Sequence, residues 1–438
     1  MVGASQDPTK FSGTLVPSII AGGFTGDVFP VNPKADVVAG LKAYPTVSDV
    51  PGDLDLVVIA VPARFVPGVL HEAADKRAAG AVVISAGGRE SGKPEFDKEI
   101  LQIARERGLR FFGPNINGFA YGPNNLSAVF WPVITEHGPL AAVGQSGTVV
   151  AAMTDWAQDD GLGVSAWIAL GNQADICESD VLRVLGDDEH TRAIALYLEG
   201  LDDGPRFVDA IRDVAMTKPI VVLKCGRSER GRAAVASHTG SLAGADAVFT
   251  GVCRQYGVVR ADDSEELYDA AKILACMPLP KGRRVLVVSS SGGSCALAAD
   301  AGDACGLVLP KLPDDYVAAL RSLDLAEWGS FANPLDLASM AVDHFRTAVR
   351  LADAADLADV ILLMFGDPIP GSAELAAELA GESRASICAA YYGGGAVEQV
   401  ERRKIQRAGV AVFPSPERAM KAIGASCWYA GQRRALEE

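Results

Sequence analysis

The chain has 438 residues, of which 49% are hydrophobic and 22% are charged, and its formal net charge is -15. This length predicts about three domains, and the acidic balance argues against a nucleic-acid-binding protein, whose affinity rests on neutralising phosphates. No apolar run reaches the roughly 18 residues that a membrane span needs, and the first residues do not resemble a signal peptide. We therefore expect a cytoplasmic protein that binds neither nucleic acid nor membrane.

The eight cysteines are widely spaced and form no CxxC pair, which predicts free thiols in a reducing compartment. The five histidines include no i, i+4 pair, and none lies near a cysteine cluster. We therefore predict no metal site on this chain.

Residues 1–128 alternate apolar runs with amphipathic stretches, which predicts βαβ units around a parallel sheet. Strands are predicted within 54–63, 80–88 and 109–119. Ligands of such sheets bind at the carboxyl ends of the strands. The turns at these ends supply the candidate ligand-binding residues Gly3, Ser5, Asn32, Pro33, Lys34, Val61, Pro62, Ser85, Ala86, Gly87 and Asn115.

The first of these turns, Val2-Gly3-Ala4-Ser5, lacks the GxGxxG pattern, which disfavours a nicotinamide-dependent dehydrogenase. Almost no strand precedes it, so the first strand is predicted to be a stub. An ordinary turn role for Asn115 and an ordinary solvated surface position for Lys34 remain alternatives.

Residues 129–277 predict a second parallel-sheet domain. Ser146, Glu199 and His238 each follow the carboxyl end of a predicted strand, which brings them to one edge of the sheet. The helix start at Gln145, Ser146 and Gly147 suits a phosphate group, because its N–H groups and dipole favour anions. A plain helix N-cap and an ordinary strand-end acid remain the alternatives for Ser146 and Glu199.

The segment 222–244 runs from a buried strand into a predicted loop with four cations, Lys224, Arg227, Arg230 and Arg232. It then reaches His238, whose ring nitrogen is able to carry a phosphoryl group covalently. A carboxylate such as Glu199 would fix one ring nitrogen and leave the other as nucleophile. The alternative is an exposed loop histidine without a chemical role.

Residues 278–438 restart the pattern of strand, turn and helix, which predicts a third α/β domain of flavodoxin type. The turn 289–293 is rich in serine and glycine. It is similar to an anion-binding turn, although a structural tight turn explains it equally well.

Eleven short motifs occur in order along the chain: VGAS, PVNPK, VIAVPA, VVISAGG, GPNING, GQSG, LGNQAD, LYLEG, LKCGRSERG, ASHTGSLAG and NPLDL. With this ordered set of motifs, the chain resembles the α subunit, or the α half, of the NDP-forming acyl-CoA synthetases. It resembles the succinyl-CoA synthetase α subunit more distantly. The resemblance implies an α/β protein with a Rossmann-like CoA-binding domain followed by two flavodoxin-like, doubly wound parallel-sheet domains.

The resemblance also implies roles for particular residues. His238 falls on the phosphorylated histidine and Glu199 on the acid that orients it. The phosphate would be held by Gln145, Ser146, Gly147, Thr239 and Gly240. The first-domain turns, together with Lys10, fall on the coenzyme A site, with Asn115 near the thiol.

The chain departs from the family pattern in three respects. Ile116 replaces a usual cysteine, Gly144 replaces a usual serine, and no ATP-grasp pattern is found. We therefore expect ATP or ADP, with Mg²⁺, to bind a separate ATP-grasp β subunit in a homo- or hetero-oligomer. A lost nucleotide-binding part is the alternative.

The expected reaction is reversible synthesis of acyl-CoA from a carboxylic acid, CoA and ATP through an acyl phosphate. A CoA-sensing module without turnover and an acyl- or carbamoyl-transferase relative are the alternatives. The intact His238 and Glu199 argue against both of them.

Overall fold

The computed structural model describes residues 1–131, 134–239, 246–323, 325 and 329–437, with the backbone alone for 236–239. It divides into two compact units. The first comprises Met1–Gln158 and Gly163–Tyr256, and the second comprises Asp159–Leu162 and Gly257–Glu438. The first and second predicted domains thus fall largely in the first unit. The boundaries between the three predicted domains stay predictions.

Helices and strands alternate along the described chain as the apolar runs predict. Up to residue 256 the helices are α1 (Phe11–Ala21), α2 (Val66–Asp75), α3 (Pro94–Arg107), α4 (Gly147–Asp160), α5 (Glu178–Asp187), α6 (Gly204–Ala215), α7 (Glu229–Thr239) and α8 (Asp246–Gln255). The strands of this part are β1 (Val37–Val38), β2 (Leu41–Lys42), β3 (Leu56–Ile59), β4 (Gly80–Val83), β5 (Phe111–Phe112), β6 (Gly118–Tyr121), β7 (Leu126–Val129), β8 (His137–Gly144), β9 (Val164–Ala169), β10 (Ala193–Leu198) and β11 (Ile220–Lys224).

The same alternation continues after residue 256. The helices there are α9 (Ser264–Cys276), α10 (Gly292–Ala304), α11 (Asp314–Arg321), α12 (Val342–Ala354), α13 (Ser372–Glu382), α14 (Ala396–Arg407) and α15 (Pro416–Glu437). The strands are β12 (Val259–Arg260), β13 (Val285–Ser289), β14 (Leu335–Asp336), β15 (Val360–Phe365), β16 (Ser386–Tyr391) and β17 (Val412–Phe413).

The first sheet is built around the parallel strands β3, β4 and β5. Val2 is bridged in parallel to Ile59 and to Val31, and Val31 is bridged to Tyr44. The spatial order is therefore Tyr44, Val31, Val2, β3, β4 and β5, which is the 3-2-1-4-5-6 order of the Rossmann fold. The predicted stub of a first strand is seen as the bridges of Val2.

The second sheet of the first unit has the order β11-β10-β8-β9-β6-β7. Strands β8 to β11 pair in parallel, and every residue of β9, β10 and β11 is buried, as expected for a sheet covered on both faces. The prediction of a strand within 109–119 is correct for its first part, which is β5, but the stretch is not a single strand. The turn 113–117 splits it into β5 of the first sheet and β6, which pairs antiparallel in the second.

The second unit contains a parallel sheet of five strands in the order β14-β13-β15-β16-β17. This is the 2-1-3-4-5 order of the flavodoxin fold. Strands β13, β15 and β16 are fully buried, because their continuous apolar runs face helices on both sides. The predicted flavodoxin-type fold of this region is confirmed.

A buried cation stabilises the second unit. The Lys272 side chain is 1% exposed, and its Nζ lies 2.9 Å from a carboxylate oxygen of Asp160 and donates to the Val412 carbonyl at 2.7 Å. Burial alone would raise the pKa of Asp160, but the charge and hydrogen bond of Lys272 and the hydrogen bond from Tyr268 outweigh it and lower that pKa. The carboxylate of Asp160 and the ammonium group of Lys272 therefore stabilise each other in their charged forms.

Replacing Lys272 with Met should lower the free energy of unfolding by about 3 kcal/mol, because Asp160 loses its counter-charge. The measurement is urea denaturation followed by circular dichroism. The matched control is Lys404→Met, which removes a pair with Glu401 whose lysine is 56% exposed and should cost about 0–1 kcal/mol. The gap between Lys272→Met and wild type should narrow as the pH falls, because burial without Lys272 raises the pKa of Asp160 and its carboxyl group is then neutralised at a higher pH than in wild type. Equal losses in the two variants would contradict this account.

The first turn depends on a glycine. Gly3 has φ +85°, and a Cβ built there would lie 2.2 Å from the Ala60 carbonyl oxygen. Gly40 has nearly the same φ, +82°, but nothing lies within 4 Å of its Cβ position. Gly3→Ala should therefore lose more stability than Gly40→Ala, which costs only the backbone strain of roughly 1–2 kcal/mol. The measurement is the midpoint of urea denaturation of each variant. Indistinguishable midpoints would show that the close approach to Ala60 is unimportant for stability.

Candidate functional site

The first two turns of the first domain are tied together by an asparagine. Asn32 donates from Nδ2 to the Ala4 carbonyl at 2.7 Å, and its Oδ1 accepts from the Lys34 backbone N–H at 2.8 Å. The Gly3 N–H donates to the Val31 carbonyl at 3.0 Å. The structure therefore brings the predicted residues of both turns to one place. Pro33 and Lys34 are exposed there.

Ser5 and Lys10 complete the first turn. The Ser5 hydroxyl accepts from the Asp7 N–H at 3.1 Å. Lys10 precedes helix α1 and lies 3.8 Å from a carboxylate oxygen of Asp7, with its side chain 67% exposed. The ammonium group is therefore accessible to a ligand at this turn.

The next two strand ends are joined through Ser85. Its hydroxyl donates to the Val61 carbonyl at 2.6 Å and accepts from the Val61 N–H at 3.1 Å. The Ser85 carbonyl accepts from the Asn115 N–H at 3.0 Å, and the Gly87 N–H donates to Glu90 Oε1 at 2.6 Å. Pro62 and Ala86 lie exposed at this edge. The predicted ends of β3, β4 and β5 are thus neighbours.

Asn172, a residue that the sequence analysis did not select, links the first domain to the second. It is 5% exposed, and its Nδ2 donates to Glu90 Oε2 at 2.6 Å and to Asp97 Oδ2 at 3.2 Å. Its Oδ1 accepts from Asn115 Nδ2 at 3.3 Å, and its backbone N–H donates to the Pro114 carbonyl at 3.0 Å. The LGNQAD motif that contains Asn172 therefore holds the turn around Asn115.

Two carboxylates next to Asn172 respond differently to this environment. Burial raises the pKa of Asp97, and the hydrogen bonds that it accepts from Arg89 and Asn172 do not compensate. Burial also acts to raise the pKa of Glu90, but hydrogen bonds from Asn172 and Gly87 outweigh it and lower that pKa. Glu90 is therefore ionised and accepts the hydrogen bond from Asn172.

Gln145 uses its whole side-chain amide to fix the end of β10. Oε1 accepts from the backbone N–H groups of Glu199 and Gly200, the latter at 3.0 Å. Nε2 donates to the Gly200 carbonyl at 2.8 Å and to Gln173 Oε1 at 2.8 Å. We call this arrangement the Gln145 clamp. Because its donors and acceptors are all engaged, the side chain holds the protein backbone in this structure.

Glu199 lies within this clamp and is 4% exposed. The Tyr197 hydroxyl donates to Glu199 Oε1 at 3.4 Å and lies 3.1 Å from the Cys225 sulfur. Burial, together with the contact to Cys225, raises the pKa of Tyr197 well above its ordinary value. Tyr197 therefore stays protonated and acts as a donor beside the carboxylate.

The helix start beside Gln145 is shaped by a second asparagine. Helix α4 begins at Gly147 and carries no acidic side chain in its first turn. A Cβ on Gly147 would lie 2.4 Å from Cγ of Asn117, so the amide of Asn117 packs directly against the helix start. The structure thus places Ser146 and Gly147 next to the turn that contains Asn115.

The segment predicted as a cationic loop is largely helical. Helix α7 spans Glu229–Thr239, because the alanine-rich stretch 233–236 favours a helix. Lys224 is 3% exposed at the end of β11, with Nζ donating to the Cys225 carbonyl at 3.0 Å. The prediction of a loop with four cations is therefore wrong, since one cation is buried and Arg230 and Arg232 are on a helix.

His238 lies in the last turn of α7. The side chains of His238 and Thr239, and all of Gly240, lie outside the described residues. Their predicted roles stay predictions.

The described part of the chain contains no group of three or more His, Cys, Asp and Glu side chains that could hold a metal ion. None of its helices is long and apolar enough to cross a membrane. All eight cysteines are free thiols.

Comparisons with known proteins identify both domains of the first unit. Residues 1–121 match the family described as CoA binding domain, and residues 137–274 match the succinyl-CoA ligase like flavodoxin domain. The α subunit of acetate–CoA ligase [ADP-forming] I from Pyrococcus furiosus is 36% identical, over 97% of this chain and 94% of that subunit. Acetate–CoA ligase [ADP-forming] I from Archaeoglobus fulgidus is 34% identical, over 97% of this chain and 61% of that protein.

A solved structure agrees over the whole chain. The dinucleotide forming acetyl-coenzyme A synthetase 1 of Ca. Korarchaeum cryptofilum, in complex with phosphate and ADP, is 35% identical. The match covers 100% of this chain and 96% of that chain, with a TM-score of 0.91. The resemblance carried by the ordered motifs is confirmed, and the chain belongs to the NDP-forming acyl-CoA synthetase family as a counterpart of its α subunit.

Proposed function

We propose that this chain is the α component of a reversible acid–CoA ligase that makes acyl-CoA from a carboxylic acid, CoA and ATP. The observation that carries the proposal is the Gln145 clamp. It holds the carboxylate-bearing residue Glu199 next to the helix start at Ser146 and Gly147. A fixed acid beside a phosphate-binding helix start is what a phosphohistidine site requires.

The reaction divides into three bond exchanges. His238 attacks the γ-phosphorus of ATP, so that a P–N bond forms and ADP leaves. The carboxylate of the substrate attacks the same phosphorus, which breaks the P–N bond and gives an acyl phosphate. The thiol of CoA then attacks the acyl carbonyl, so that a C–S bond forms, the C–O bond to the phosphate breaks and the thiol proton leaves with the released phosphate.

The residues of this chain have separate tasks in that sequence. Glu199 would accept a hydrogen bond from one ring nitrogen of His238, leaving the other as nucleophile. The N–H groups at Ser146 and Gly147 would bind phosphate oxygens, helped by Gln145 through its hold on the β10 end and by Thr239 and Gly240. Asn115 would lie near the thiol of CoA.

CoA itself would bind along the edge formed by the first-domain turns. The exposed ammonium groups of Lys10 and Lys34 suit its phosphates. Gly3, Ser5 and Asn32 shape the first turn, and Val61, Ser85 and Gly87 form the adjoining strand ends.

The nucleotide would bind a partner. We propose an ATP-grasp β subunit that holds ATP or ADP with Mg²⁺, because the Pyrococcus furiosus relative, of which the match spans 94%, is named as a subunit α. Such a partner would be a polypeptide of ~25 kDa on domain-length statistics, and it should copurify with this chain. We also propose that the assembly is cytoplasmic.

Labelling with radioactive phosphate tests the role of His238. This chain, its partner and γ-labelled ATP should give an acid-labile protein phosphate, because a phosphoramidate hydrolyses in acid. His238→Ala should abolish the label. The control is His190→Ala, since His190 is about half exposed in a turn and should label as wild type does. Label that persists in His238→Ala would disprove the proposal.

A further inference from the structure

Two neighbouring residues after β9 face different parts of the first unit. Asn172 bonds to Glu90, Asp97 and Asn115 of the first domain. Gln173, the next residue, bonds to Gln145 in the second domain. Gln173 has φ +52°, in the left-handed region that non-glycine residues rarely adopt. The backbone therefore accepts strain at the point where the two side chains diverge.

The amide of Gln173 has a defined orientation. Its Nε2 donates to Glu178 Oε2 at 2.8 Å, which leaves Oε1 to accept from Gln145 Nε2 at 2.8 Å. Glu178 is 3% exposed at the start of α5, so this acceptor is itself held in place. Gln173 therefore presents an oxygen, and not an NH₂ group, to Gln145.

That oxygen strengthens the orientation of the Gln145 amide that the backbone of Glu199 and Gly200 also favours. A glutamine amide has two chemically different ends. With Nε2 held by Gln173, Oε1 is directed to the N–H groups of Glu199 and Gly200. Without Gln173, the Gln145 amide would be restrained only by the N–H groups of Glu199 and Gly200 and by the Gly200 carbonyl. The position of the Glu199 backbone then depends on one contact fewer.

We propose that Gln173 is a positioning residue for phosphoryl transfer, which orients the Gln145 clamp and thereby keeps Glu199 in place, while Asn172 anchors the same turn to the first domain. This inference rests on the function proposed above. In this role Gln173 acts through Gln145, to which it is hydrogen-bonded.

The test is the single-turnover rate at which His238 is labelled by γ-labelled ATP in the complex with the partner subunit. Gln173→Leu should lower this rate roughly three- to tenfold, the effect of one hydrogen bond. The double variant Gln173→Glu/Glu178→Gln should stay within about twofold of wild type, because the new carboxylate still accepts from Gln145 Nε2 and the new amide donates to it in place of the original Gln173–Glu178 hydrogen bond. The dissociation constant for CoA, measured by calorimetry, should change by less than about twofold in either variant, since the CoA turns do not involve Gln173.

A matched control and a double variant separate positioning from general destabilisation. Gln102→Leu removes an exposed glutamine that donates to Glu106 on α3, and it should label at the wild-type rate. In a Glu199→Gln background, adding Gln173→Leu should change the rate by less than about twofold, because both residues act through the same group. If Gln173→Leu does not fold, Gln173→Ser, which is too short to reach Gln145, replaces it.

The outcomes distinguish this inference from the function on which it rests. A wild-type complex that shows no His238-dependent label overturns both. A normal wild-type rate with an unchanged rate in Gln173→Leu overturns the positioning role alone. A full rate loss that persists in the Glu199→Gln background also overturns it, because Gln173 would then act independently of Glu199.

Discussion

The Gln145 clamp is the interaction on which the rest of the site depends. One side chain satisfies two backbone donors and one backbone acceptor at the end of β10, and a fourth bond to Gln173 orients it. Buried peptide groups that lose their partners cost about 1–3 kcal/mol each. The clamp therefore keeps Glu199 in place, because other positions of the β10 end would leave buried peptide groups unpaired and be energetically unfavourable. It also joins the end of one strand to the helix start at the end of another.

The parallel strands of the two sheets explain why few side-chain contacts are needed to bring the site residues together. In both sheets of the first unit the parallel strands, β3 to β5 and β8 to β11, deliver their carboxyl ends to a common edge. The first sheet brings the turns around Gly3, Ser85 and Asn115 together, and the second brings Gln145 and Glu199 together. Asn172 then connects the two groups through hydrogen bonds to residues of the first domain. The site is therefore formed by strand ends, and its long-range contacts are made by amide side chains.

Much of this arrangement can be predicted from the sequence. Strands β8 to β11, β13, β15 and β16 are continuous apolar runs, and the positions of Ser146 and Glu199 follow from where those runs end. The helix α7 was missed because its arginines and glycine are typical of a loop, whereas the alanines within it favour a helix. Within 109–119 the prediction found β5 but not β6, because nothing in the apolar pattern shows that the turn 113–117 sends the chain into another sheet.

The amide contacts could not be predicted from local patterns at all. Asn172 bonds to a residue 57 positions away and to another 82 positions away. Gln145 bonds to the backbone 55 positions away. Such pairs depend on how the strands are ordered in space, which a single sequence does not reveal. Only the occurrence of LGNQAD among the ordered motifs indicated that this segment matters.

The central claim is that this chain carries a phosphoryl group on one histidine. Peptide mapping of the ATP-treated complex by mass spectrometry, at neutral or alkaline pH to preserve phosphoramidates, tests it most directly. The account predicts one phosphoryl group on the peptide that contains His238, which is lost when the carboxylic acid is added and released as acyl phosphate. Phosphate on a different residue, or an unmodified chain during turnover, would contradict it.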